Sequence, residues 1–139
     1  MSQTNNIHIE GNITMEPELR YTNAGLPVCN IRVAQTDSFM RNGERHETTE
    51  YFQVVVWNQQ GENVAASLST GDRVTVSGKL RQRTVEIDGT KRYFTELHAD
   101  VVAVALRWAI VDDILKSTAS GKNQLTSVGA SAESDEGPF

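Results

Sequence analysis

Thr48-Thr49-Glu50-Tyr51-Phe52-Gln53-Val54-Val55-Val56-Trp57 is the stretch from which the fold of this chain can be read. It is dense in β-branched and aromatic residues and holds no Gly or Pro, so it reads as a β-strand. Successive side chains on a strand point to opposite faces, which sorts these residues by parity. Phe52, Val54 and Val56 form one face and are predicted to be core. Tyr51, Gln53, Val55 and Trp57 form the other, where two large aromatics share a face with an amide. At the usual strand rise, Tyr51 and Trp57 stand roughly 20 Å apart. That span accommodates several nucleotide bases or a protein interface.

Toward the N-terminus, residues 37–47 read as a polar loop with a turn signal at Asn42-Gly43. Phe39 and Met40 are unusual inside such a loop. An aromatic flanked by Arg41 and Arg45 is a candidate for stacking on bases, and a ring folded back onto the body is the competing reading. Residues 28–36 alternate Cys29, Ile31 and Val33 against Asn30, Arg32 and Ala34, the pattern of another strand. Residues 18–22 form a short strand after Glu16-Pro17, and Asn23-Ala24-Gly25 is turn chemistry. Ile7, Ile9, Gly11 and Ile13 alternate with polar residues and predict a half-buried first strand.

Toward the C-terminus, residues 61–69 carry the one short helical pattern, with Val64, Ala65 and Leu68 as its apolar stripe. Gly71 stands where a helix end favours a left-handed residue. Residues 73–83 return to alternation. Val74, Val76, Gly78 and Leu80 face one way, and Arg73, Thr75, Ser77, Lys79, Arg81 and Arg83 face the other. An Asp88-Gly89 turn then sends residues 92–106 back as a partner strand. From Lys116 onward, small and polar residues dominate, which predicts a disordered tail. The organisation read here is a folded domain over residues 1–111 and a tail over 112–139. About five strands with a helix between the third and fourth suit an all-β, five-stranded Greek-key barrel of the OB type. A small β-sandwich fits the same count.

The net charge of −5 argues on its face against a polyanionic partner, but it is unevenly distributed. Residues 112–139 hold five acids and two bases, leaving residues 1–111 with 13 acids and 11 bases. The body is near neutral, and the positions of its cations decide what it can bind. Arg73, Lys79, Arg81 and Arg83 would line one strand face, with Arg32 and Arg41 extending the row. Cations beside flat π surfaces are what a site for single-stranded nucleic acid of any sequence requires. An ordinary solvated strand face is the bland reading of the same row.

Enzyme chemistry finds no support. His8, His46 and His98 lack ligand-like spacing, and His98-Ala99-Asp100 reads as surface. No phosphate loop or nucleophile motif occurs, so no catalysis, metal or cofactor is expected. No apolar run is long enough to span a bilayer, and a polar N-terminus with one Cys predicts a non-secreted protein in a reducing compartment. Cys29, sharing a face with Ile31 and Val33, is expected to be a buried thiol, with an intersubunit disulfide as the alternative.

Several segments together carry a family resemblance. They are Gly11-Asn12-Ile13-Thr14, residues 16–22, residues 28–34, residues 49–57, Gly71-Asp72-Arg73-Val74, Gly78-Lys79-Leu80-Arg81 and the basic hairpin. Over residues 5–107 the chain resembles bacterial single-stranded DNA-binding proteins of the homotetrameric OB-fold kind. The resemblance implies base-stacking roles for Phe39, Tyr51 and Trp57. A fourth aromatic position of the family falls on Val85, a departure. The acidic ending Asp135-Glu136-Gly137-Pro138-Phe139 is similar to the family's tip, through which replication, repair and recombination proteins are recruited, although Gly137 stands where the family commonly has Ile. A short linker points to a short paralogue. A cytoplasmic, nucleoid-associated homotetramer that binds single-stranded DNA is what the resemblance implies. The rival class is an OB-fold assembly subunit that touches nucleic acid little, favoured by the near-neutral body and the absent hairpin aromatic.

Overall fold

The computed structural model describes residues 3–116, so the acidic tip and most of the tail lie outside the described residues. The elements run β1 (Ile7–Ile13), β2 (Glu18–Tyr21), β3 (Pro27–Arg41), β4 (Glu44–Trp57), α1 (Asn58–Ser67), β5 (Arg73–Ile87) and β6 (Thr90–Val104). The strands are ordered β1-β5-β6-β4-β3, and pairing of β1 with β3 closes them into a five-stranded barrel. All neighbours in the barrel are antiparallel except β4 and β6, which run parallel at Val54↔Leu97 and Val55↔His98. The short strand β2 pairs with β3 outside the ring. This is the OB-type barrel, in which closure joins the first and last strands of the ring. A compact unit spans Met1–Ala105. In the second unit, which begins at Leu106, residues 106–116 carry neither helix nor strand.

The core follows the parity of the sequence except at Val55, which lies on the outward face of β4 and is only 5% exposed. Ile31, Val33, Val54, Val56, Val74 and Val76 have no exposed surface. Each such side chain contributes about 1.5–3 kcal/mol by leaving water. Cys29 is buried among them as a free thiol, and that burial, with Glu18 secondarily, raises its pKa. Phe52 is only partly buried. Leu80 is 40% exposed rather than core. The reason is that β1 reaches only Gly78 in its pairing with β5, so beyond that point β5 has left the barrel. There the Asn5 side chain replaces the missing strand, donating to the Leu80 carbonyl and accepting from the Leu80 N–H at 2.9 and 3.0 Å.

Residues 37–47 are not a loop. They continue β3 and β4 as a two-stranded arm, in register from Ala34↔Tyr51 to Arg41↔Glu44 around Asn42-Gly43. Both turn residues have positive φ, 54° and 80°, the backbone that matches the right-handed twist of a hairpin. A second arm, from β5 and β6, closes on Asp88-Gly89 with φ of 50° and 78°. Polar composition suits a loop, but a two-stranded arm needs no buried face when its ladder hydrogen bonds are complete.

The helix starts at Asn58, earlier than its apolar stripe predicts, because Gly61 lies inside it as a packing position. A Cβ at Gly61 would collide with the Val56 carbonyl oxygen and stand 3.3 Å from the Cys29 amide. Leu68 follows the helix in extended conformation, and its N–H donates to the Val64 carbonyl at 2.9 Å. Gly71, with φ of 98°, therefore belongs to a separate turn, where its N–H donates to the Ile13 carbonyl at 2.8 Å.

Candidate functional site

The register of the second arm sets the site. Counting back from Asp88-Gly89 pairs Arg83 with Phe94, Arg81 with Glu96 and Lys79 with His98. Directly opposed residues project to one side, so cations from β5 alternate with Phe94, Glu96 and His98 from β6 on a single outward face. The parallel pairing of Val55 with His98 brings β4 to this face and delivers Trp57. The Trp57 indole is 37% exposed. Its Nε1–H donates to His98 Nδ1 at 3.2 Å, and the two rings lie 6.4 Å apart at 28°.

From Trp57 the contacts continue in a chain. His98 Nε2 stands 3.4 Å from Glu96 Oε1, and Arg83 donates to Glu96 Oε2 from Nε and Nη2 at 3.3 and 3.1 Å. Since Nδ1 accepts from the indole, a neutral His98 carries its proton on Nε2, the nitrogen on the side of Glu96. Glu96 is 9% exposed, and the two hydrogen bonds from Arg83 compensate a carboxylate that would otherwise be costly to bury. This chain fixes the orientation of Trp57.

The predicted cations divide into two sets. Lys79 and Arg81 make no ion pair among the described residues. With Trp57, His98, Ala99 and Asp100 they line an open cleft of ≈ 430 Å³, large enough for a ring of base size. Arg83 is held by Glu96 instead, with its guanidinium carbon 5.3 Å from the centre of the Phe94 ring. Arg73 sits at the opposite end of β5, 3.6 Å from Glu10, away from Trp57.

The aromatics divide as well. Tyr51 lies on the outward face of β4 with Trp57, 56% exposed, and Arg32 on β3 covers its ring at 4.6 Å. Phe39 pairs with His46 in register, and by strand alternation both lie on the ribbon face opposite Tyr51 and Trp57. The two rings stack at 5.5 Å and 20°, and Arg41 stands 5.8 Å from the Phe39 centroid. Tyr51, Trp57, Arg32, Lys79 and Arg81 therefore lie on outward strand faces, while Phe39 with Arg41 forms a separate cluster on the first arm. Val85 pairs with Arg92. Asp135, Glu136, Pro138 and Phe139 lie outside the described residues.

Sequence reasoning missed His98, Glu96 and Phe94. Their signal was present, because a two-residue Asp-Gly turn sets the register of the hairpin and places all three beside the basic row. Among the described residues no group of His, Cys, Asp or Glu side chains could hold a metal ion, and no helix is long and apolar enough to cross a membrane.

Comparison with known proteins adds a separate line. Residues 4–105 match the family model described as the single-strand binding protein family. A single-stranded DNA-binding protein of Corynebacterium glutamicum is 46% identical over 111 residues, covering 77% of this chain and 49% of that relative. The chain thus spans about half the length of that relative. Proteins of the same description from Mycolicibacterium smegmatis and Paenarthrobacter nicotinovorans are 37% and 33% identical, covering 87% and 99% of this chain and 75% and 82% of their own. Among solved structures, one titled as a Plasmodium falciparum SSB complex with ssDNA superposes with a TM-score of 0.69 at 20% identity, covering 76% of this chain and 97% of its own, a likeness of fold.

Proposed function

The chain belongs to the single-strand binding protein family, and from that premise we propose that it binds single-stranded DNA without regard to sequence. One observation carries the reading: Trp57 and Tyr51 expose their rings on outward strand faces, with Lys79 and Arg81 beside Trp57 and Arg32 over Tyr51. Bases stack on the rings while cations follow the phosphates, and each stacked base contributes about 1–3 kcal/mol. Neutralisation of Arg73 and Arg83 by Glu10 and Glu96 leaves Arg32, Arg41, Lys79 and Arg81 as the phosphate contacts. Four contacts correspond to a log-log salt slope of about −2.8 per protomer.

The same premise supports the remaining parts of the reading. The protein acts as a cytoplasmic, nucleoid-associated homotetramer, with residues 1–111 as the DNA-binding body. The acidic Pro-Phe ending of residues 112–139 recruits replication, repair and recombination proteins. The rival reading, an assembly subunit with little nucleic-acid binding, gains from the same two neutralised arginines. A tryptophan-quenching titration with poly-dT at two salt concentrations, with duplex competitor, separates them. Salt-sensitive quenching that duplex does not compete away supports the proposal, and unaltered fluorescence at low salt rejects it.

A further inference from the structure

The phenyl ring of Phe94 has no place in the core. It sits on the second arm, 42% exposed, among charged and polar neighbours. An apolar ring on such an arm gains by being covered. Two features define what could cover it. Phe94, Glu96 and His98 follow one another along the outward face of β6, and the Trp57 indole of β4 rests against His98, so a line along that face leads from Phe94 to Trp57. That line runs beside Lys79 and Arg81, the cations without ion pairs. The Arg83 guanidinium beside the ring is pinned by two hydrogen bonds to Glu96, which offsets its charge and makes it a rigid planar neighbour more than a phosphate ligand.

We propose that Phe94, supported by the Arg83–Glu96 pair, is a base-stacking site on the β5–β6 arm that extends the single-stranded DNA path beyond Trp57. The inference rests on the proposed nucleic-acid function and adds a ring that parity within β4 does not supply. Its ligand is an unpaired nucleobase of any identity, because a phenyl face offers stacking and no hydrogen-bonding groups.

The test measures poly-dT binding to the full chain. In a Trp57→Phe, Trp108→Phe background, Phe94→Trp places the only indole on the arm, since the chain has two tryptophans. Quenching of that indole by poly-dT is expected. In the native background, Phe94→Ala should weaken binding at least about fivefold at both salt concentrations, with the salt slope unchanged. Phe94→Leu should be as weak as Phe94→Ala, because bulk without a flat π face does not stack. Binding restored by Phe94→Leu, or an indole at 94 that poly-dT leaves unquenched, overturns the stacking site. A flattened slope in Phe94→Ala also overturns it, by showing that the ring serves only to hold Arg83. If the wild-type chain fails to bind poly-dT through Trp57, the functional reading itself falls. A wild type that binds while Phe94 variants match it removes this inference alone.

Discussion

At the scale of single residues, the chain of contacts from Trp57 through His98 and Glu96 to Arg83 decides which side chains are available to a ligand. Arg81 and Arg83 are equivalent by sequence pattern and differ in the structure. Arg81, opposite Glu96 in register, makes no ion pair among the described residues, whereas Arg83 gives two hydrogen bonds to Glu96. Arg81→Ala should therefore flatten the log-log salt slope for poly-dT by about 0.7, with Arg83→Ala changing it less. Glu96→Gln should steepen the slope by up to about 0.7, since it releases the Arg83 charge. Salt titrations of the three variants check both statements, and equal slopes for Arg81→Ala and Arg83→Ala would contradict the pairing argument. Trp57→Ala should weaken binding to all sequences by about 1–3 kcal/mol, read by filter binding.

At the scale of elements, the site depends on how closely β5 approaches β6. The register between them slips at Ser77/Gly78, where Ser77 pairs with Val101 and Gly78 with Ala99. A bulge of this kind bends the ladder and re-aims the side chains beside it. Gly78 permits the approach: a Cβ there would collide with the His98 carbonyl oxygen and stand 2.9 Å from the Ala99 Cα. Both obstacles are backbone and cannot swing aside. Gly78→Ala should cost about 1–3 kcal/mol of stability by overpacking. Because the displaced strand carries His98, it should also loosen Trp57. Thermal unfolding checks the first effect and the tryptophan emission maximum checks the second. A variant with native stability would show that the strands separate at no cost.

At the scale of the whole molecule, the described body is nearly neutral, so affinity comes from where cations and rings are gathered rather than from net charge. The buried thiol adds a pH limit. Burial raises the Cys29 pKa above its ordinary value of 9.0, so the folded state holds the proton that the unfolded chain begins to lose there. The corresponding stability is fully present below pH 9.0 and falls as pH rises through that value toward the raised one. Tyr21, whose hydroxyl donates to Glu62 at 2.9 Å, is raised too, from its ordinary value of 10.0. Melting temperature against pH should thus decline on the alkaline side. Cys29→Ala should flatten that decline more than Tyr21→Phe, because the thiol is buried and the phenol is exposed. An identical profile in Cys29→Ala would exclude the thiol as the cause.

The sequence by itself determined the strands and the two faces of each. Alternation in residues 48–57 and 73–83 separates core from outward faces, since the side-chain period of a strand is a local property of its backbone. Asn42-Gly43 and Asp88-Gly89 set the register of both hairpins for an equally local reason, because these pairs accept the positive φ that a two-residue turn needs. Counted back from those turns, even the neighbours of the basic row were legible. What only tertiary structure decided is which cations remain unpaired and which rings share a face. The parallel pairing of β4 with β6 brings Trp57 onto His98, 41 positions away, and no local pattern encodes that contact. Arg73 and Arg83 share the strand pattern of Lys79 and Arg81 but stand in ion pairs with Glu10 and Glu96 from neighbouring strands. Charge is a property of residues, but its availability depends on what the fold places beside it.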